Sequence, residues 1–264
     1  MSVTNVLSQL DSGKLETSEF ALAVSLGLIG GWRKYQKFGM NPGVPATGME
    51  EMWPRSDLRV LPTTATVASV TGGAADVADS GTGAWTVKLE GLDANYDEIE
   101  EIVSMNGATP SLSTQLFWRV NRAYVDTAGT GTVNAGNIDV TVNGQVQAHI
   151  ELMEGQTHQT HFTVPAGHTL IVNAYHVGVG RLTGTTDCHV VSSIKPVHAN
   201  SSWRGISDVY LYQTVHADEM MISVIPEKTE IKQIIASGAT TQAWSTWGGY
   251  LVRNTALAAV KTTY

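Results

Sequence analysis

The chain carries a single cysteine, Cys188. No intramolecular disulfide can form and no Cys-based zinc site can be built, so stability has to come from packing and from partner subunits. Charged residues are also few, at 15% of the chain, too little for a protein of long solvated helices. No apolar run reaches bilayer length: the stretch from Phe20 to Trp32 is short and interrupted by glycine. Met1 to Asn5 shows neither the basic nor the apolar region of a signal peptide, so the expectation is a soluble protein made in a cytoplasm, with no membrane partner. Residues 1–60 hold six basic and six acidic side chains and the remainder ten against eighteen, so the net charge of −8 lies wholly in the body. Nucleic-acid affinity comes from clustered Lys and Arg that displace counterions, and an acidic body makes nucleic acid a poor partner.

What is present is the material of strands. With 264 residues and 42% hydrophobic side chains the chain can bury a core, and 26 glycines with plentiful Thr, Ser and Val suit short strands joined by tight turns. Ile138 to Val142 alternates apolar and polar, Asn143-Gly144 supplies the positive φ angles of a type I′ turn, and Gln145 to Ile150 returns as the second arm of a hairpin. Further strands are predicted over Thr66–Val70, Trp85–Leu89, Glu98–Ser104, Leu116–Val125, His158–Val164 and Thr169–Val177. Others follow at Cys188–Ile194, Asp208–Val215, Met220–Ile225, Thr229–Ala236 and Ala243–Val252. About a dozen strands and no long helix give an all-β class, an antiparallel β-sandwich or jelly roll. No fixed internal period emerges, which disfavours a propeller or solenoid.

Residues 1–60 read differently. Neither the helical nor the strand period is sustained there, residues 16–29 offer a short helix weakened by Gly27, and aromatics are scattered among Gly and Pro. The expectation is an extended N-terminal arm ahead of a single body over residues 61–264, able to fold without it. Trp32, Tyr35, Phe38 and Trp53 would anchor the arm on a neighbouring subunit, while Arg33, Lys34 and Lys37 would meet that subunit's acidic surface. The competing expectation is that the segment packs along its own body.

Chemistry-bearing groups are present without a complete motif. All eight histidines fall between His149 and His216, and Pro165-Ala166-Gly167-His168 followed by Asn173 partly matches a cupin metal motif. The spacing fails: His168 directly follows Gly167, and His158 and His161 are three apart, so on a strand they face opposite sides. No metal or other cofactor is expected. No Gly-x-Ser-x-Gly elbow occurs, and Cys188 and His189, as strand neighbours, point apart, so no catalytic residue is assigned. Trp244, Trp247 and Tyr250 could form a sugar-stacking platform, although on a continuous strand Trp247 faces away from the other two.

A series of phrases resembles small virion proteins of tailed bacteriophages, particularly those of aquatic bacteria. It begins with Trp32 to Pro42 followed by Glu51-Met52-Trp53. It continues through Val87 to Tyr96, Asn106 to Thr109, Arg119 to Val125, Asn134 to Ile138 and Glu154 to Thr157, and ends with Thr163 to Gly167 and Ile225 to Thr229. The phrases cover most of residues 32–236 in order. The resemblance implies a non-enzymatic component of the virion, with itself and other capsid or tail proteins as partners. A symmetric oligomer, a trimer at first guess, would sit on the particle as a capsid-decorating or cementing subunit or as a tail-associated one. A module that binds host surface glycans is the alternative, and a cupin-like metal protein a further one.

Overall fold

A computed structural model describes residues 17–180, 187–197, 201–212, 216–219 and 222–261. Every strand pairing among them is antiparallel, and the sheets pack in two face-to-face pairs. The all-β, antiparallel sandwich class therefore holds, but there are two sandwiches, and the second is built from both ends of the chain.

The first sandwich occupies the middle of the sequence. One sheet has the order β6 (Ser111–Phe117), β3 (Thr66–Thr71), β8 (Ile138–Val142), β9 (Gln145–Ile150), and the other the order β5 (Glu98–Ser104), β4 (Ala84–Leu92), β7 (Arg119–Ala128). Their inner faces meet through fully buried Val70, Val87, Leu89, Phe117, Ile138, Val140 and Ile150, each large side chain contributing about 1.5–3 kcal/mol by leaving water. The hairpin forms as its turn residues require, with Asn143 at φ 47° and Gly144 at φ 72°. A bulge shifts its register between Val140 and Thr141. Asp76, fully buried, ties three loops together: its carboxylate accepts the amides of Gly73, Ala84 and Ala135 at 2.7–2.8 Å.

The second sandwich pairs a sheet of β1 (Trp32–Val44), β17 (Thr241–Arg253), β11 (His168–Val179) and β14 (His216–Glu219) with a sheet of β10 (Phe162–Thr163), β16 (Thr229–Ser237), β12 (Asp187–Pro196) and β13 (Arg204–Tyr212). Two short strands complete them, β15 (Ser223–Ile225) on β11 and β2 (Met49–Glu51) on β16. Val177, Val190, Leu211 and Ile235 fill one part of the space between these sheets, and Phe162, Leu170, Ile231, Trp247 and Leu251 fill the other.

The expected division at residue 60 is therefore corrected. β1 runs the length of β17, from Trp32 opposite Val252 to Val44 opposite Thr241, and β2 extends the facing sheet. Residues 32–60 are part of the body, while residues 1–16 lie outside the described residues. The strand escaped the periodicity test because three of its four buried positions are Lys37, Gly39 and Asn41, and only the last, Val44, is an apolar side chain. Gly39 is required by a close approach: a Cβ there would lie 2.6 Å from the Met52 carbonyl and 2.8 Å from Thr160.

Two other expectations shift for local reasons. The strand read over Leu116–Val125 is cut at Trp118, where the chain leaves the β3 sheet and enters the β4 sheet, with the Trp118 amide bonded to Leu92 O at 2.7 Å. Of His158–Val164 only β10 is strand. Residues 157–161 are instead a return crossing between the sandwiches, bonded to Ala123, Met40 and Met52. Gln213, Thr214 and Val215, which end the strand predicted over Asp208–Val215, lie outside the described residues, as do Met220 and Met221, which begin the one predicted over Met220–Ile225.

The predicted helix forms as α1 (Thr17–Ser25) and packs Phe20, Ala23 and Val24 against Trp32 and Tyr250 on the outer face of the β1 sheet. Gly27, at φ 69°, ends it: its amide bonds Val24 O, and the Leu28 amide reaches back to Ala23 O, the pattern of a left-handed glycine cap. A second helix, α2 (Asn254–Lys261), follows β17 directly.

This architecture makes a deletion experiment directional. Removing residues 1–60 takes β1 and β2 from both sheets of the second sandwich, and the product should lose its cooperative thermal transition. A fragment of residues 61–157 keeps every strand of the first sandwich and should retain one, as followed by circular dichroism. A residue 61–264 fragment with native-like melting would contradict the interleaved arrangement.

Candidate functional site

Between the two sandwiches the chain crosses twice, outward through residues 52–65 and back through residues 157–161, and the surfaces that meet there are polar. β7 of the first sandwich forms the central line. Asn121 exchanges two hydrogen bonds with the Thr163 backbone, at 2.9 and 3.1 Å, and its own carbonyl accepts the buried Lys37 ammonium. The Val120 carbonyl accepts from Arg59 at 3.2 Å. Arg119 pairs with Glu230 at 2.6 Å, both side chains 5% exposed or less, and Thr163 Oγ1 donates to the second Glu230 oxygen at 2.5 Å.

Glu51 is the centre of the other half of the seam. Its carboxylate is almost fully buried and accepts from His161 Nε2 at 2.8 Å, from Lys232 Nζ at 2.7 Å and from the Arg59 amide at 2.8 Å. Burial alone would raise its pKa, but the bonds and charges of His161 and Lys232 outweigh it and hold the group down at about 2. Burial also pushes His161 down to about 4, with Arg59 and Lys37 acting in the same direction. A neutral imidazole donating through Nε2 leaves Nδ1 as a bare acceptor, which fits its position as a buried nitrogen with no hydrogen-bond partner. Burial, together with the nearby guanidiniums of Arg59 and Arg122, lowers Lys37 to about 7. The seam's charged groups bond chiefly to one another and to backbone carbonyls, with Arg59 Nε and His161 Nδ1 left unbonded.

The residues expected to grip a neighbouring subunit are placed mostly on their own body. Trp32 stacks edge-on to Phe20 at 5.2 Å, Tyr35 lies 4.5 Å from the Phe162 ring, and Phe38 lies 5.3 Å from His158. Trp53 is 1% exposed, bonds Asp57 O through its indole nitrogen at 2.8 Å and sits edge-on to His161. Lys37 is sealed in the seam, and Arg33 pairs with Glu98 of the first sandwich. Arg33 thus meets a carboxylate, but one of its own chain, and Lys37 bonds a neutral carbonyl. Arg33 and Tyr35 also line an open cleft of about 360 Å³ with Glu90, Glu98 and Asn121. Lys34 remains exposed beside a smaller recess shared with Gln36 and Tyr250.

The other candidates separate as well. On β17, Trp247 is 1% exposed and faces the core while Trp244 and Tyr250 face outward, so the three do not form one platform. Cys188 is buried among Val177, Val190 and Leu211, where burial pushes its thiol up to about 11, and His189 turns the other way to pair with Asp208. Among the described residues no three of His, Cys, Asp and Glu converge as metal ligands. His161, weighed from the sequence as a metal ligand beside His158 and set aside, proves to be a seam residue. Glu51 and Lys232, which complete its cluster, are 110 and 71 positions away in sequence, so no local pattern could have joined them.

Comparison with protein-family models and with curated proteins finds no match.

The seam gives stability a definite pH profile. His161 takes up a proton near 6.5 when unfolded and about 4 when folded, and Glu51 near 4.5 and about 2. In both cases the unfolded chain binds protons more readily, so stability falls as pH drops below about 6.5 and continues to fall towards 2. His161→Gln, which can still donate to Glu51, should flatten the melting-temperature profile between pH 6.5 and 4; an unchanged profile would remove His161 from the account. Glu51→Gln strands Lys232 beside a neutral group and should cost about 3–5 kcal/mol at neutral pH in chemical denaturation.

Proposed function

We propose that the chain is a non-enzymatic structural subunit of a tailed-phage virion, assembled as a symmetric oligomer on the capsid as a decorating or cementing subunit, or on the tail. The ordered phrases from Trp32 to Thr229 support the virion reading. The observation that carries assembly is a group of large apolar side chains left in water. On the neighbouring edge strands β5 and β6, Ile102, Leu112 and Leu116 are 53%, 61% and 55% exposed, and Glu101 ties the two strands by accepting the Thr114 and Gln115 amides. An apolar group of this kind on paired sheet edges fits contact with another subunit.

A structural role also agrees with how the buried ionisable groups are used. Arg119 and Glu230 neutralise each other, Glu51 is bonded by His161 and Lys232, and the Cys188 thiol is held in its protonated form.

Quantitative mass spectrometry of purified particles tests the proposal. Hundreds of copies per particle would assign the capsid shell, a handful or dozens would assign a vertex or the tail, and absence from the particle would overturn the reading. Leu116→Asp should leave the melting temperature unchanged, since the side chain already lies in water, and should reduce self-association in sedimentation velocity.

A further inference from the structure

The chain contains two Asn-Gly pairs, Asn106-Gly107 and Asn143-Gly144, and the fold treats them oppositely. In such a pair the glycine nitrogen can attack the side-chain carbonyl carbon of the preceding asparagine and close a five-membered ring. The reaction is intramolecular, so it needs no second molecule to be brought into place. Glycine obstructs the closure least, because it has no Cβ. What decides whether the ring forms is the freedom of the glycine amide and of the asparagine backbone to reach the attacking geometry.

Asn106-Gly107 is locked. Gly107 is buried, its amide donates to Asp76 O at 2.7 Å and its carbonyl accepts the Gly72 amide at 2.8 Å. The Asn106 carbonyl accepts the Thr109 amide at 3.1 Å. The Gly107 nitrogen cannot turn to the Asn106 side chain until its bond to Asp76 breaks. Asp76 is itself fixed, since its carboxylate holds the amides of Gly73, Ala84 and Ala135.

Asn143-Gly144 is open. Both residues are exposed at the tip of the β8–β9 hairpin, and no atom lies within 4 Å of where a Gly144 Cβ would stand. Among the described residues nothing accepts a hydrogen bond from the Gly144 amide. Asn143 is held only by two surface hydroxyls: its amide donates to Thr66 Oγ1 at 2.9 Å and its Nδ2 to Thr63 Oγ1 at 3.2 Å. Rotating Asn143 out of its turn conformation at φ 47° is a local opening, because β9 is the edge strand of its sheet and pairs with β8 alone.

We propose that Asn143 is a site of spontaneous deamidation. The Gly144 nitrogen gives its proton to hydroxide and bonds to Asn143 Cγ. The Cγ–Nδ2 bond breaks, and the side-chain nitrogen takes a proton from water and leaves as ammonia, so that a succinimide remains and hydroxide is regenerated. Water then opens the ring. Addition at Cγ leaves an aspartate, and addition at the main-chain carbonyl leaves an isoaspartate. Either product adds one negative charge to the net −8. Isoaspartate also inserts a methylene into the backbone of a two-residue loop whose length sets the register of the hairpin.

Peptide mapping of the full chain after incubation at mildly alkaline pH tests this, with electron-transfer fragmentation to separate isoaspartate from aspartate. In the folded protein Asn143 should convert about tenfold faster than Asn106, the ratio set by having to break one buried hydrogen bond. In urea the two pairs should convert at similar rates, because only the fold distinguishes them. Conversion at Asn106 as fast as at Asn143 in the folded protein would overturn the proposal. So would an Asn143 that converts in urea but not in the folded chain, or a ratio that urea leaves unchanged. The measurement follows one covalent change in the isolated chain, so its outcome is separate from that of the particle analysis.

Discussion

Charge sealed between two sandwiches is the constraint on which the rest of this structure depends. Arg119, Glu230, Glu51, His161, Lys232, Arg59 and Lys37 all lie at the junction, most of them nearly inaccessible to water. A charge removed from water is tolerable only when its partners are fixed in place, so the segments that carry those partners have little freedom. Residues 52–65 bring Arg59 to Glu51, residues 157–161 bring His161 to the same carboxylate, and β7 presents its backbone carbonyls to Lys37 and Arg59. Gly39 lets the return crossing pass against β1 closely enough for these contacts to form. The insertion of one sandwich between the strands of the other thus rests on a polar seam more than on a shared apolar core.

Much of the strand content was legible because alternation of apolar and polar residues reports a half-buried sheet. The β8–β9 hairpin follows from Asn143-Gly144, and the opposite facing of Trp247 and Trp244 follows from strand parity. The seam was hidden for the same physical reason. β1 buries Lys37, Gly39 and Asn41, and the return crossing buries Thr157, Gln159, Thr160 and His161, so a search for hydrophobic periodicity passes over both. The break at Trp118 was equally silent, since a change of sheet leaves the local apolar pattern intact. As for the candidate site, the aromatic and basic residues of the leading segment were read as contacts to a neighbouring subunit, whereas Trp32, Tyr35, Phe38, Trp53, Lys37 and Arg33 make contacts within the chain. Which carboxylates they meet depends on pairings across the whole sequence.

Apolar and polar side chains divide between surface and junction. The outer edges carry exposed apolar side chains, whereas the junction holds a buried polar network in which Arg59 Nε and His161 Nδ1 are left unbonded. The same interface that satisfies Glu51 three times over leaves Arg59 Nε, His161 Nδ1, Tyr96 Oη and Trp118 Nε1 unbonded.

The central claim is that paired buried charges hold the two sandwiches together, and a double-mutant cycle on Arg119 and Glu230 tests it most directly. Calorimetry of Arg119→Met, Glu230→Met and the double variant should show each single change costing about 3–5 kcal/mol, because it strands one buried charge, and the double variant recovering much of that loss. Losses that simply add, leaving the double variant the least stable of the three, would contradict the account.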